Sequence, residues 1–518
     1  MLVGAPFTVS RPHGATVSMD PSHTVDAMDA RDARALLDVA APTQYYVANN
    51  PAGPLRPSHP IAMRSNVLAA AGALVAANAV HGSPTATEKQ LPNRANALPT
   101  VTASGNAFWA GSKRFYVRGI DYQPGGSSDN ADPLADPNLC SRDITRFKDL
   151  GVNAIRVYSV DNSKDHTECM QKLNDAGIYL VLDVNNPLYS INRDNPEPSY
   201  NDKYLQSVFA TIDEFAKYDN TLAFFSGNEV INDKPETVKS APYVKATTRD
   251  MRQYIGSRGY RKIPVGYSAA DVSENRMQTA DYFNCGGDDE RSDFFAFNDY
   301  SWCAPSSFQQ SGWDQKVKNF TGYGLPIFLS EWGCIKNTRD FEELSALMSD
   351  QMSSVYSGGL MYEYSREGNG YGIVELSGNS DSVKKESEYD TFKSALAKYP
   401  APSGDGGFTS TTKAVACPTQ DAIWDLGKWG ESSLPAIPDG AKKFMKDGAG
   451  DGPGLTGAGS QNAGGTSTGT ATPGSGDVTA TASGNNAGTG RPAPPLDMSF
   501  LAVTGVVGFF TLAGTLLL

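Results

Sequence analysis

The chain has 518 residues and a formal net charge of −13, from 57 acidic and 44 basic side chains. It contains no block of basic residues, so it lacks the electrostatic footprint of a nucleic-acid-binding protein. The length allows several domains, but one large α/β barrel also reaches it when the tails are long. Composition therefore favours an acidic globular protein, and nucleic-acid binding is the one function class that it argues against.

Histidine is scarce, with five residues in the chain. All but His166 precede residue 98, where the predicted barrel begins. A Ser/His/Asp triad or a histidine-rich metal site would therefore depend on His166 alone. His166 lies in DHTECMQKLNDAG, an amphipathic helix pattern, which favours a solvated helix residue. We expect no metal and no cofactor.

The N-terminal region carries a displaced signal peptide. Residues 1–62 are polar and lack apolar periodicity, which is typical of disorder or of a gene-model extension. Residues 63–79 then combine a basic start, an apolar run and the small-residue triplet Ala77-Asn78-Ala79, which are the parts of a signal peptide. The apolar run is too short for a type II membrane anchor. Translation is therefore expected to start at Met63, and the mature protein near Val80.

From residue 98 to 400 short apolar strands alternate with amphipathic helix patterns. This alternation predicts a catalytic (β/α)8 TIM barrel, with a doubly wound open sheet as the alternative. The eight predicted strands are Arg114–Tyr122, Ala154–Val160, Tyr179–Val184, Leu222–Glu229, Ile263–Ser268, Phe294–Tyr300, Pro326–Glu331 and Leu360–Tyr364.

The C-terminal part divides into three segments. Residues 401–448 have few periodic elements and are expected to pack on the barrel. Residues 449–497 are rich in Gly, Ser, Thr and Ala, which predicts a flexible stalk and spacer. The uncharged tail 498–518 follows small residues and a short spacer, as in a glycolipid (GPI) anchor signal. Asn486 is the predicted acceptor, with Asn485 and Gly488 as alternatives.

Two predicted strands end on carboxyl side chains. TLAFFSGNEV leads through Asn228 to Glu229 on the fourth strand, and LPIFLSEWGC leads to Glu331 on the seventh. Active sites of barrels lie at the carboxyl ends of the strands, so these two glutamates are expected at one barrel mouth. A pair of this kind is typical of glycosidases, with Glu229 as the proton donor and Glu331 as the nucleophile. We expect Glu229 to have a raised pKa, and Tyr300 or Arg156 to keep Glu331 ionised.

Aromatic and polar side chains also follow the predicted strands, where flat rings could stack on sugars. Packing in the core is an equally good interpretation for any one of them. The candidates are Tyr122, Gln123, Tyr158, Asp183, Tyr300, Trp302, Trp332, Tyr362 and Tyr371. Asn319-Phe320-Thr321 is a sequon, so Asn319 is a predicted glycan site.

The six cysteines are Cys140, Cys169, Cys285, Cys303, Cys334 and Cys417. An even number in a chain with a secretion signal predicts disulfides, for which six cysteines allow about 15 pairings. Buried free thiols would be favoured only in a cytosolic protein.

These motifs, in this order, resemble the fungal GPI-anchored β-1,3-glucanosyltransferases of glycoside hydrolase family 72. The resemblance covers roughly residues 98–465. Because no cysteine follows Cys417 in this sequence, we expect the subgroup of the family that lacks a cysteine-rich carbohydrate-binding module. The matching stretches are RGIDYQPGG, AIRVYSVD, LVLDVN, FSGNEV, FNDYSWC, FLSEWGC and GGLMYEYS.

The resemblance implies an enzyme that cleaves β-1,3-glucan internally and transfers the new reducing end to another glucan chain. It implies Glu229 as acid/base, Glu331 as nucleophile, and the disulfides Cys140–Cys169, Cys303–Cys334 and Cys285–Cys417. It also implies sugar contacts by a further set of side chains, namely Gln123, Tyr158, Asp183, Asn228, Tyr300, Tyr362 and Tyr371.

Two alternatives remain open at this stage, a plain β-1,3-glucan endohydrolase and a non-catalytic wall protein that binds glucan. The expected partners are donor and acceptor glucan chains and, through the anchor, the membrane. The protein is expected to be a secreted monomer at the outer face of the plasma membrane and in the cell wall.

Overall fold

The computed structural model describes residues 98–377, 382–472 and 476. The predicted extension 1–62, signal peptide 63–79, acceptor Asn486 and tail 498–518 lie outside these ranges. Within the described ranges, no helix has both the length and the apolar character needed to cross a membrane.

The strands of the described residues form one barrel and two small antiparallel sheets. They are β1 Val101–Ser104, β2 Ala107–Ala110, β3 Lys113–Phe115, β4 Val117–Asp121, β5 Ala154–Val157, β6 Tyr179–Asp183, β7 Thr221–Asn228, β8 Val265–Ala270, β9 Phe294–Asp299, β10 Ile327–Trp332, β11 Tyr356–Met361, β12 Val374–Leu376 and β13 Val383–Lys385.

Helices follow most barrel strands, and a 3-10 helix, Pro235–Ser240, precedes the fifth α-helix. The α-helices are α1 Pro137–Leu150, α2 Thr167–Asp175, α3 Pro196–Ser199, α4 Asp202–Phe215, α5 Ala241–Ser257, α6 Arg276–Asn284, α7 Trp313–Phe320, α8 Glu343–Leu347, α9 Asp350–Ser353, α10 Ser387–Lys398 and α11 Asp439–Asp447.

Eight parallel strands close the barrel in the order β10-β11-β4-β5-β6-β7-β8-β9. The predicted (β/α)8 barrel is therefore confirmed, and the open-sheet alternative is wrong. Strand faces that point outward pack on the helices in one large apolar core, which includes Leu180, Leu182 and Phe224. Burial on both faces explains why the barrel strands have continuous apolar sequences.

A three-stranded sheet, β1-β2-β3, closes the amino end of the barrel. Its Phe108 packs edge-on against Phe294 and Phe328, with ring centroids 5.7 and 5.9 Å apart. These rings belong to a second apolar cluster inside the barrel, together with Phe225 and Leu360. The carboxyl end of the barrel is therefore the end left for a site.

Several predicted strand boundaries differ from the structure, most clearly those of the first and last predicted strands. The first predicted strand is split at Tyr116 into β3 and β4, and the last barrel strand begins at Tyr356 rather than Leu360. Gly358 lies in β11 with φ +87°, and a Cβ there would collide with the carbonyl of Val117 on β4. Gly358 interrupts the apolar pattern because the backbones of β11 and β4 approach too closely there for a side chain.

The segment after α10 packs on the barrel, and it extends further than predicted. Ser460 is fully buried, and its carbonyl accepts a hydrogen bond of 2.6 Å from Asn201. Ala436 N–H donates to Gly469 at 2.9 Å. The predicted change from packed segment to flexible stalk at residue 448 is therefore not seen in residues 449–472, because hydrogen bonds to distant parts of the chain hold them against the barrel.

Three disulfides link Cys140 with Cys169, Cys303 with Cys334, and Cys285 with Cys417. All three implied pairings are confirmed. The third bridge spans 132 residues and joins the end of α6 to the segment after the barrel, so it stabilises the attachment of that segment.

His166 is buried, with 1% of its surface exposed, so its prediction as a solvated residue is wrong. Its Nε2 lies 2.8 Å from Asp132, and its Nδ1 lies 3.1 Å from Glu214. Burial opposes protonation, but the hydrogen bonds to these two carboxylates outweigh it and raise the pKa of His166 to about 9. His166 therefore forms a buried ion-paired link between the loop after β4 and α4.

Candidate active site

Glu229 and Glu331 lie at the carboxyl end of the barrel. With β4 counted first, Glu229 directly follows the fourth strand, β7, and Glu331 lies near the end of the seventh, β10. This is the placement that the sequence predicts, and it brings both carboxyls to one mouth.

Hydrogen-bond donors surround the Glu331 carboxylate. Tyr158 donates to Oε1 at 2.8 Å, and Tyr300 donates to Oε2 at 2.7 Å. Arg156 donates to Oε1 at 3.3 Å. Donors of this kind fix the orientation of the carboxylate and favour its ionised form.

Burial has a larger effect on the pKa of Glu331 than these donors have. It raises the pKa of Glu331 to about 7, against the opposing charge of Arg156, and the charge of Glu229 adds to the rise. The prediction that Tyr300 or Arg156 keeps Glu331 ionised stays a prediction, and both side chains do donate to this carboxylate.

Glu229 is held mainly through its backbone. Its φ of +47° is left-handed, which is uncommon for a residue with a side chain. Its N–H donates to Ser268 at 2.9 Å, and its carbonyl accepts from Arg193 at 2.7 Å. Backbone conformations of this kind persist where surrounding contacts impose them, often at functional sites.

The Glu229 side chain is oriented by amides from neighbouring strands. Asn298, on β9, donates to Glu229 Oε1 at 2.8 Å and to Asn228 Oδ1 at 3.1 Å. Ser268 also donates to Asn228 Oδ1, at 2.7 Å. Asn228 therefore connects three strand ends and helps to place the adjacent glutamate.

Arg156 is the buried cation of the site, and its side chain is fully buried. It donates to Asp183 at 2.8 and 3.2 Å.

Asp121 lies on β4, directly opposite Arg156 in the strand register, and is also fully buried. Neither of its carboxylate oxygens has a hydrogen-bond partner. Burial raises the pKa of Asp121 well above its ordinary value and that of Glu363 to about 8. Asp121 is therefore a buried carboxyl beside the Arg156–Asp183 pair.

Tyrosine rings form the wall of the mouth beside Glu331. Tyr371 packs on Tyr300 and Tyr362, with centroids 5.5 and 5.2 Å apart. Tyr158 lies edge-on to Tyr362, at 6.5 Å. The four tyrosines predicted as sugar contacts therefore share one wall.

Other predicted residues serve the core. Tyr122 donates to Asp143 at 2.7 Å, Trp302 packs on Trp313 at 5.0 Å, and Trp332 packs on Phe392 at 6.0 Å. These three rings are buried outside the mouth, so their prediction as sugar-binding candidates is not supported and packing is the correct interpretation.

Gln123 is engaged by protein at both ends of its amide. Its Oε1 accepts from the backbone of Tyr158 and Ser159, each at 3.1 Å, and its Nε2 donates to Ala131 at 2.9 Å. In the free enzyme this amide positions the backbone that carries Tyr158.

Sequence reasoning missed four residues of the site, namely Asp121, Arg193, Asn298 and Glu363. Asn298 and Asp121 end barrel strands and could have been found by the rule used for Glu229. Glu363 lies in the predicted strand Leu360–Tyr364, two residues past the end of β11, and could have been found in the same way. Arg193 lies in a loop, where no periodic pattern identifies it.

A closed (β/α)8 barrel with paired glutamates after the fourth and seventh strands defines a glycosidase-type enzyme that acts on carbohydrate. The glucanosyltransferase model of glycoside hydrolase family 72 matches residues 90–400. The chain belongs to that family.

Curated relatives agree with this assignment. The chain is similar to 1,3-beta-glucanosyltransferase gel1 of Aspergillus fumigatus, at 62% identity over 388 residues, which covers 75% of this chain and 84% of the relative. It is 50% identical over 361 residues to 1,3-beta-glucanosyltransferase GAS5 of Saccharomyces cerevisiae, which covers 68% and 73% of the two chains.

A solved structure with the same fold is a mutant of Saccharomyces cerevisiae Gas2p in complex with laminaritetraose and laminaripentaose. It is 38% identical, with a TM-score of 0.60, and the match covers 66% of this chain and 75% of that chain.

Proposed function

We propose that this protein is a retaining β-1,3-glucan transglycosylase. It cleaves β-1,3-glucan internally and transfers the new reducing end to a second glucan chain, which elongates cell-wall glucan. The observation that carries the proposal is the pair of glutamates at one barrel mouth, with Glu331 buried among oriented donors and Glu229 held by Asn298. The names of the relatives and the laminari-oligosaccharides bound to Gas2p support the substrate class.

In the first half-reaction a carboxylate oxygen of Glu331 attacks the anomeric carbon. The bond from that carbon to the glycosidic oxygen breaks, and the departing oxygen takes the proton of Glu229. The products are a glycosyl ester on Glu331 and a released glucan fragment.

In the second half-reaction Glu229 accepts the proton of an acceptor hydroxyl. The acceptor oxygen then bonds to the anomeric carbon, and the ester bond to Glu331 breaks. A β-1,3 product requires the 3-hydroxyl of the acceptor sugar. Two displacements at one carbon retain its configuration.

Binding of the glucan is assigned to Tyr158, Asn228, Tyr300, Tyr362 and Tyr371, whose rings and amide line the mouth. Gln123 and Asp183 remain proposed contributors, and each is held by protein groups in the free enzyme. Neither metal nor cofactor enters the proposed steps, so activity is expected to survive a chelator.

Two alternative functions are compatible with the same fold and differ from the proposed one in the products that they would form. An endohydrolase would use the same glutamates with water as acceptor, and a wall-binding protein would not turn over. Incubation with a reduced laminari-oligosaccharide separates them: transfer gives products longer than the substrate, hydrolysis gives only shorter ones, and a binding protein gives neither.

Glu331→Gln tests the mechanism directly. It is expected to abolish turnover while the fold and glucan binding remain. Glu342→Gln is a matched control, because Glu342 pairs with Lys398 outside the mouth. Normal activity of Glu331→Gln would overturn the mechanism.

Localisation and processing are also proposed. The signal peptide at 63–79 and the anchor at Asn486 direct the mature protein to the outer face of the plasma membrane and the cell wall, as a monomer. Asn319 is exposed on α7, as a glycan site requires. Recovery of peptides from residues 1–62 in the secreted protein would contradict the proposed start at Met63.

A further inference from the structure

We propose that residues 454–461, here called the rim segment, position Glu229 from outside the barrel, with Gln461 as a positioning residue. The segment lies beyond the residues matched by the family model, which end at 400. The inference rests on the proposed role of Glu229 as proton donor.

The rim segment binds the backbone of the loop that follows β6. Ser460 N–H donates to the carbonyl of Leu188 at 2.8 Å. Gln461 Nε2 donates to the carbonyl of Ser190 at 2.9 Å, and the Tyr189 hydroxyl donates to the carbonyl of Thr456 at 3.4 Å. Three consecutive loop residues are thus held by one segment.

The same loop reaches the catalytic glutamate three residues later. Arg193 donates to the backbone carbonyl of Glu229 at 2.7 Å. Glu229 has the left-handed φ of +47°, and contacts on its peptide groups maintain such a conformation. A continuous set of contacts therefore runs from Gln461 through residues 190–193 to Glu229.

The rim segment also contacts loops that follow β4 and β5. Asn130, after β4, donates to the carbonyl of Leu455 at 2.9 Å. Gly454 N–H donates to Asn162, after β5, at 2.9 Å. The segment is therefore hydrogen-bonded to three adjacent loops of the catalytic face.

Close backbone approach explains the glycine at position 459 of this segment. A Cβ on Gly459, whose φ is +71°, would lie 2.5 Å from the carbonyl oxygen of Leu188. Residues that looked like a low-complexity stalk therefore have a defined steric role.

The expected consequence concerns the chemical step. When the loop loosens, Arg193 releases the Glu229 carbonyl, and the carboxyl is less often aligned with the glycosidic oxygen. Misalignment of a proton donor lowers kcat, whereas KM depends on sugar contacts elsewhere in the mouth. Loss of one such hydrogen bond is expected to cost about tenfold in rate.

A double-mutant cycle tests the connection. Gln461→Ala and Arg193→Ala are each expected to lower kcat for donor cleavage by about tenfold, with KM within about twofold, and to be non-additive together. Gln461→Glu is a near-isosteric variant that lacks the N–H donor, so it should behave like Gln461→Ala.

Gln206→Ala is the matched control. Gln206 donates to the carbonyl of Ala449, also in the C-terminal segment, at 3.3 Å, but it does not contact the loop after β6. It should leave kcat unchanged, and its effect should be additive with that of Arg193→Ala.

Full additivity of Gln461→Ala and Arg193→Ala, or unchanged kcat in Gln461→Ala, would overturn the proposal. Total donor cleavage is the readout, so a finding of hydrolysis without transfer would reject the proposed function while leaving this test valid.

Discussion

Arg156 connects two carboxylates of the mouth, donating to Asp183 at 2.8 Å and to Glu331 at 3.3 Å. Its planar guanidinium serves both at once, and a lysine ammonium cannot reproduce that geometry. Arg156→Lys is therefore expected to lower kcat/KM on laminari-oligosaccharides by about 100-fold, because Glu331 loses its orientation.

The control for that change is Arg249→Lys. Arg249 is buried beside Asp250, at 2.8 Å, but lies outside the mouth. It should lower the melting temperature without a comparable loss of kcat/KM. Equal losses of kcat/KM in both variants would mean that Arg156 acts only on stability.

Tyr300→Phe removes the donor to Glu331 Oε2. A hydrogen bond to an ionised carboxylate lowers its pKa, so its loss should raise the pKa of Glu331 further above about 7. Less Glu331 is then ionised at a given acidic pH. The acid limb of the kcat/KM profile is expected to move to higher pH, with about a tenfold loss of rate on that limb.

Tyr122→Phe provides the matched comparison, since Tyr122 also donates to a buried carboxylate, that of Asp143. It should reduce stability and leave the pH profile in place. An unchanged acid limb in Tyr300→Phe would contradict the assigned contact.

Glu229→Gln should have the opposite effect on the same titration. The charge of Glu229 helps to raise the pKa of Glu331, so a neutral amide should lower it. With an activated glucosyl donor that needs no protonation, formation of the glycosyl-enzyme should persist to lower pH than in the unmodified protein. The measurement is the rate of glycosyl-enzyme formation as a function of pH. If the acid limb of the variant lies at the same pH as in the unmodified protein, or at a higher pH, the charges of Glu229 and Glu331 are not coupled.

His166→Gln is expected to change the pH dependence of unfolding. The pKa of His166 rises from 6.5 in the unfolded chain to about 9 in the folded protein. Its stabilising contribution is therefore complete below about pH 6.5 and is lost as pH rises through about 9. The difference in unfolding free energy between the two proteins should be roughly 3 kcal/mol larger at about pH 6 than at about pH 10. A difference that is independent of pH would show that His166 is not charged in the fold.

Much of the barrel follows from the sequence, because its strands are buried on both faces and read as apolar runs ending in polar residues. The same rule located Glu229 and Glu331. It could not distinguish Tyr300, which faces the mouth, from Trp302 and Trp332, which face the helices, since single residues at strand ends carry no information on direction.

Long-range contacts explain the remaining errors. The helix pattern around His166 did not indicate burial, because its partners Asp132 and Glu214 come from other segments. Likewise, the composition of residues 449–472 predicts a flexible stalk, whereas hydrogen bonds to distant loops hold this segment against the barrel. Neither kind of contact leaves a local pattern in the chain.

The position of the rim segment in the chain also affects when the enzyme becomes complete. Ribosomes synthesise the chain from its amino end, so all eight barrel strands are made before residues 454–461. The loop that carries Arg193 therefore exists for a time without the contacts of Ser460 and Gln461. Residues made late in synthesis therefore complete the contacts around the loop that holds the Glu229 carbonyl, and we expect a chain shortened before Gly454 to lack them.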